Sequence, residues 1–280
     1  MKVRNMLKLM YITNRPEIAV IAEEAGVDWI FVDMEFIGKD ARQGGLDTVQ
    51  NHHTADDVRT IKQSVKKAKV LVRVNPIHES MPSYPASKDE IEQVINAGAD
   101  IIMLPFFKTV GEVKTFINYV SGRAKTLLLV ETVDAANLID EILEVPGIDM
   151  VHLGLNDMHL QFGMKFMFEL LADGTVDKLG NKIKAKGIPF GFGGIATLDG
   201  GAMPGAMVLK EHYRLGSSMV IVSRSFCNTD EITDLNEVQE IFQKGIKEIR
   251  NLENELKNKP QDYFEGNRKK VVEAVNRIIK

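Results

Sequence analysis

Hydrophobic positions in this chain fall into short runs, rich in branched side chains, at 7–12, 29–33, 70–74, 101–104, 126–131, 150–153, 189–192 and 219–222. Most are apolar throughout rather than alternating, the pattern of parallel strands covered on both faces. Stretches with helical spacing lie between most of them, at 16–25, 55–67, 88–97, 110–120, 135–143, 167–186 and 208–215. A longer helix is predicted over 231–256, after the eighth run. Three turns repeat a theme: Ala25-Gly26-Val27-Asp28, Ala97-Gly98-Ala99-Asp100 and Pro146-Gly147-Ile148-Asp149. In each, a glycine ends a helix and an aspartate leads into the next strand.

Eight strand–helix units in a chain of this length predict a (β/α)8 barrel over 1–258, with a helical tail at 259–280. A doubly wound sheet is the alternative, but no G-x-G-x-x-G follows the first strand. The glycines at 191–194 form a short turn after strand seven. The polar stretch at 35–53 is too long for an ordinary loop, and long loops at a barrel's C-terminal face usually carry function. The tail at 261–280 reads as a basic amphipathic helix that packs on its own barrel or on a neighbour.

The 280 residues carry 35 Lys and Arg against 39 Asp and Glu, a formal charge of −4. Without clustered basic residues, nucleic acid is not the expected partner. One cysteine, Cys227, forms no internal disulfide and reads as a small buried apolar group. The first residues lack the apolar core of a signal peptide, and no stretch is apolar enough to span a membrane, so a cytoplasmic protein is expected.

Barrel enzymes place their chemistry where strands end. Glu131 and Asp157 follow the fifth and sixth strands, one strand–helix unit apart. Rims of adjacent strands are close enough for two carboxylates to share a hard cation such as Mg2+ or Mn2+. Capping of the following helices is the competing role. Arg73 ends strand three, either in a salt bridge to Asp33 or Glu35 or as a fork for a substrate carboxylate. His52-His53 precedes a helix start at Thr54-Ala55-Asp56-Asp57, where a histidine at the barrel mouth suits a general base. His152 reads as a satisfied interior side chain, and Lys108 as the residue to test for a Schiff base.

Val72-Arg73-Val74-Asn75-Pro76, Leu129-Val130-Glu131-Thr132 and Gly154-Leu155-Asn156-Asp157-Met158 with Gly163 resemble the HpcH/HpaI aldolase and citrate lyase β-subunit superfamily. Val32-Asp33-Met34-Glu35 resembles its strand-two ending, and the segment from Ala97 to Pro105 its strand-four start. The resemblance spans roughly residues 7–230. It implies a metal-dependent carbon–carbon lyase acting on a pyruvate-type 2-oxo acid. Glu131 and Asp157 would then hold the metal and Arg73 the substrate, with Gly154 and Asn156 beside it.

Two departures stand out. Phe36 sits where the aldolase branch has a histidine after the acidic residue, so His53, or a metal-bound water, would serve as the base. Leu155-Asn156 replaces a Pro-Ala pair. The inserted segment, with Lys39, Arg42 and Gln43, would reshape substrate recognition. The resemblance also implies a homo-oligomer, trimer or hexamer, exchanging the helix at 231–256. The alternatives are a citrate-lyase-like enzyme acting on an acyl-CoA thioester, and a catalytically silent barrel subunit.

Overall fold

Strands buried on both faces explain the unbroken apolar runs. The computed structural model describes residues 5–39 and 51–280. In it, β1 (Lys8–Ile12), β2 (Trp29–Asp33), β3 (Lys69–Arg73), β4 (Ile101–Leu104), β5 (Lys125–Val130), β6 (Met150–Leu153), β7 (Phe190–Ile195) and β8 (Met219–Val222) pair in parallel in chain order. β8 closes on β1 to complete a (β/α)8 barrel.

Side chains alternate across the barrel wall. One set, including Met10, Phe31, Leu71, Met103, Leu127, Leu129 and Met219, fills the interior. The other, including Val32, Val72, Leu104, Leu128 and Leu153, packs under the surrounding helices. Those helices include α1 (Pro16–Ala25), α2 (Ala55–Ser64), α3 (Ser87–Ala97), α4 (Val110–Val120), α5 (Val133–Asn137), α6 (Ile139–Ile142) and α7 (Leu155–Gln161). They continue with α8 (Glu169–Ala172), α9 (Thr175–Ala185), α10 (Gly205–Leu215), α11 (Leu235–Leu256) and α12 (Gln261–Ile278). None of the described helices is long and apolar enough to cross a membrane.

Three segments differ from the pattern. The helix expected at 135–143 is two short helices, α5 and α6. The one expected at 167–186 breaks at Gly174, whose φ of 88° ends α8's turn and starts α9. The glycines at 191–194 lie within β7, where the register with β8 shifts. A side chain at 191 would collide with Met219 and sit 2.7 Å from His152 Nδ1, so glycine lets the wall pass there.

The repeated turns do the same job three times at the N-terminal rim. The Asp28, Asp100 and Asp149 carboxylates accept the Leu9, Val70 and Thr126 amides at 3.1, 2.8 and 2.9 Å. Each acid also pairs with a lysine: Lys8, Lys62 and Lys125.

The long helix α11 packs on the chain's own α1. Its fully buried Glu253 accepts the Leu7 amide at 2.8 Å and pairs with Arg250 at 2.7 Å. Arg250 in turn reaches Asp28. The tail helix α12 buries Phe264, Val271 and Val275 in the same core, and its Asn267 donates to Glu211.

Candidate active site

Continuing the inward alternation past each strand's last apolar residue places chemistry at the C-terminal rim. Phe31 is followed two positions on by Asp33, Leu71 by Arg73, and Leu129 by Glu131. Helix α7 begins directly after β6 and carries Asp157 in its first turn. These side chains line one cavity of about 740 Å³. His53, Arg73, Glu131, Gly154, Asn156 and Asp157, the residues singled out from the sequence, all line it.

Asp33 is the hub of one wall. It accepts Arg73 Nε at 2.7 Å and Nη2 at 2.8 Å, Asn51 Nδ2 at 2.9 Å and Lys39 Nζ at 3.2 Å. Burial alone would raise the Asp33 pKa, but the Arg73 charge and hydrogen bonds, with Lys39 beside them, hold it well below the usual carboxylate range. Glu35 lies 3.3 Å from Arg73 Nη1 and 3.7 Å from Lys39. Arg73 thus bridges both acids that the sequence offered it. Burial opposes its charge, yet Asp33, Glu35 and then Glu131 keep its pKa well above the ordinary value. Arg42 and Gln43 lie outside the described residues.

A second network braces this wall. Asn75 Oδ1 accepts the Phe36 and Ile37 amides, each at 2.9 Å, and its Nδ2 donates to Glu90 at 2.8 Å. Burial pushes the Glu90 pKa up. The asparagine of the Arg-Val-Asn-Pro motif is therefore a clamp on the chain leaving β2. Neither Asn51 nor Glu90 carried a linear signal, because their partners lie 18 and 15 positions away.

Glu131 and Asp157 are 2% and 6% exposed. Capping is done by others: Thr132 Oγ1 accepts the Ala135 amide at 3.0 Å, and α7 starts at Gly154 with no side-chain cap. Glu131 Oε1 accepts the Phe106 amide at 3.0 Å. A Cβ at Gly154 would meet Glu131 Oε2 at 2.8 Å, so glycine keeps the space beside that carboxylate open. Among the described residues no group of three or more His, Cys, Asp or Glu gathers as a metal cage. Two hard oxygen donors facing a cavity do fit a cation whose other positions go to water and substrate oxygens.

His53 is set by a capping box in which Thr54 Oγ1 and the Asp57 carboxylate exchange hydrogen bonds with each other's amides. Its Nδ1 accepts the Asp33 amide at 3.0 Å, so the neutral ring carries its proton on Nε2. Burial lowers its pKa, against the pull of Asp33. His152 is interior, as its pattern suggested, but only half satisfied. Its Nε2 donates to the Gly193 carbonyl at 3.1 Å, while Nδ1 has no hydrogen-bond partner among the described residues. Burial depresses its pKa to about 4. Burial pushes the Cys227 thiol up to about 11, which suits an apolar filler better than a nucleophile. Lys108 is exposed and does not line the cavity.

The family model described as HpcH/HpaI aldolase/citrate lyase matches residues 8–169. Among solved structures, an HpcH/HpaI aldolase from Desulfitobacterium hafniense DCB-2 is similar, with a TM-score of 0.58 and 17% identity, covering 87% of this chain and 93% of that one. An HpcH/HpaI aldolase/citrate lyase family protein from Burkholderia cenocepacia J2315 has a TM-score of 0.60 and 14% identity, covering 85% of this chain and 97% of that one. At these identities the structural likeness speaks for the fold alone. A comparison with curated proteins found no match.

Proposed function

Because the chain belongs to the HpcH/HpaI aldolase/citrate lyase family, we propose that it is a divalent-metal-dependent carbon–carbon lyase. It would cleave, or in reverse form, a 4-hydroxy-2-oxo acid through a pyruvate-type enolate. The observation that carries this reading is convergence: two buried carboxylates, a guanidinium and a histidine from four separate parts of the chain line one cavity.

Glu131 and Asp157 would hold Mg2+ or Mn2+, and the ion, when bound, supplies Lewis-acid stabilisation of the enolate oxygen. Arg73, which gives Nε and one Nη2 proton to Asp33 and has Nη1 3.3 Å from Glu35, would offer its remaining Nη protons to the substrate carboxylate. The absent side chain of Gly154 leaves room for the 2-oxo group beside Glu131. Asn156, exposed on the first turn of α7, offers its amide to the acid's oxygens.

In the cleavage direction the 4-hydroxyl gives its proton to a water molecule in the cavity, the C3–C4 bond breaks and C4 leaves as an aldehyde. The electron pair of that bond passes into the enolate, which takes a proton at C3 from water to give the 2-oxo acid. His53 serves this step as a hydrogen-bond donor from Nε2. Its other nitrogen takes up a proton only by giving up the Asp33 amide.

The test is pyruvate release from 4-hydroxy-2-oxo acids with added Mg2+ or Mn2+. Activity is expected to vanish with EDTA and to return when metal is restored. Turnover with acyl-CoA thioesters alone would replace this reading with a citrate-lyase-like one. Metal binding without turnover on either substrate would leave a silent barrel.

A further inference from the structure

Phe106 stands out where the chain leaves β4. Among the described residues only Phe106 and Ser121 have a positive φ without being glycine. Ser121 has an ordinary reason, since it caps the C-terminal end of α4 in the left-handed conformation. Phe106, at φ 47°, ends no helix. A residue with a Cβ is sterically disfavoured there and stays only where its surroundings demand it.

What the conformation achieves is visible from its contacts. In this turn the Phe106 amide donates to Glu131 Oε1 at 3.0 Å. The next residue fixes the same turn from the other side: Thr132 Oγ1 donates to the Phe107 carbonyl at 2.7 Å, and the Phe107 ring is fully buried. With Oε1 tied to the β4 turn, Glu131 Oε2 lies beside Gly154, the residue that precedes α7, whose first turn carries Asp157. The Phe106 side also shares a small recess of about 230 Å³ with Asp157, Leu160 and Gln161 of that helix. One residue just after β4 therefore touches the Glu131 carboxylate after β5 and shares a recess with Asp157 of α7.

We infer that Phe106 is a positioning residue for the divalent-cation site: its backbone amide, in a turn that is left-handed at this residue, fixes the Glu131 carboxylate with Oε2 beside Gly154, at the start of the helix that carries Asp157. The inference rests on the metal-lyase reading above and concerns a backbone group, which residue types alone do not reveal. Groups that orient a metal ligand typically change affinity tenfold to a hundredfold when lost.

The experiment titrates purified wild type, F106G and F106P with Mn2+, followed by electron paramagnetic resonance. Glycine keeps the amide and adopts φ 47° without strain, so F106G should bind within about threefold of wild type. Proline lacks the N–H and cannot reach positive φ, so F106P should bind about tenfold or more weakly. With metal at saturation, F106P should recover most of its kcat, a split that general damage would not give. A folded F106P with wild-type affinity overturns the inference.

Amide hydrogen exchange on the metal-free protein decides the matter if F106P does not fold. Protection at the Phe106 amide should be present in wild type and lost in E131A, and unchanged protection in E131A equally overturns it. Wild type that takes up no Mn2+ would sink the metal-lyase reading, while amide exchange would still tell whether Phe106 holds Glu131.

Discussion

The two rims of the barrel spend the same residue type in opposite ways. At the N-terminal rim the side chains of Asp28, Asp100 and Asp149 are 21%, 21% and 30% exposed, and each caps a strand amide beside a lysine. At the C-terminal rim Asp33, Glu35, Glu131 and Asp157 are 0%, 1%, 2% and 6% exposed. An acid in water needs no partner to stay ionised, so the first three shape strand starts at little cost. A buried carboxylate needs cations or donors around it, which Arg73 and Lys39 supply on one wall. The buried acid at the N-terminal end, Glu253, is taken up by Arg250 and the Leu7 amide, whereas the buried Asp33, Glu131 and Asp157 line an open cavity, and that is what marks the C-terminal rim as the candidate site.

The hardest test of this contrast is a matched pair of deletions. E131A or D157A should lower kcat/KM on the order of 10³-fold, because Lewis-acid stabilisation is worth several kcal/mol and each ~1.4 kcal/mol is a tenfold change. D149A at the opposite rim should leave kcat/KM within about threefold. Steady-state kinetics at saturating Mg2+ on the three variants decides it, and equal losses would erase the distinction.

The next effect is on stability. Asp33 accepts from Arg73, Lys39 and Asn51, so D33A removes the nearer counter-charge of two largely buried cations and leaves them to Glu35 at 3.3 and 3.7 Å. Breaking a buried pair from one side costs about 3–5 kcal/mol. Urea unfolding of D33A should show a loss of that size, and a loss under ~1 kcal/mol would mean that the hub is far better solvated than its burial implies.

How much of this was legible in the sequence follows the same division. Strand order and barrel closure rest on local signals, namely apolar runs and the glycine–aspartate turns, and Trp29–Asp33, Ile101–Leu104 and Met150–Leu153 fall where the pattern put them. Rim residues such as Glu131 were readable because the first polar residue after a buried strand must face either the cavity or a helix. The partners of those residues were not. Asp33 gathers groups from positions 39, 51 and 73, and only the closed barrel brings them together. The breaks at Gly174 and within β7 were missed because a lone glycine tells little until its neighbours are known. The Phe106 amide has no residue-type signal at all.

A pH effect sharpens the contrast from the interior. In the folded chain His152 takes up a proton only near pH 4, whereas an unfolded histidine does so near 6.5. Between those values the unfolded state binds more protons, so stability is present above about pH 6.5 and is lost as pH falls toward 4. About 2.5 pH units at ~1.4 kcal/mol each make about 3 kcal/mol. His212, whose pKa burial also depresses, adds to the same limb. Asp33, held low by Arg73 despite burial, withdraws its contribution only at pH below the ordinary carboxylate value of about 4. H152L should therefore flatten the fall in melting temperature between pH 6.5 and 4.5, and curves parallel to wild type would contradict the buried, neutral state of His152.

The smallest effect is expected where an ion pair looks best on paper. Lys125 Nζ lies 2.7 Å from Asp149 Oδ1, a shorter contact than Lys39 makes with Asp33. Yet the Lys125 side chain is 69% exposed and that of Lys39 is 3% exposed. In water the gain of pairing is offset by screening and by the lost freedom of a long side chain, leaving about 0.2–1 kcal/mol. Asp149 keeps its bonds to the Thr126 amide and hydroxyl when the lysine is gone. K125A should thus cost under ~1 kcal/mol in urea unfolding and less still in high salt, with catalysis untouched. A cost matching that of D33A would show that distance rather than burial sets the strength of these pairs, and the two rims would then differ in name only.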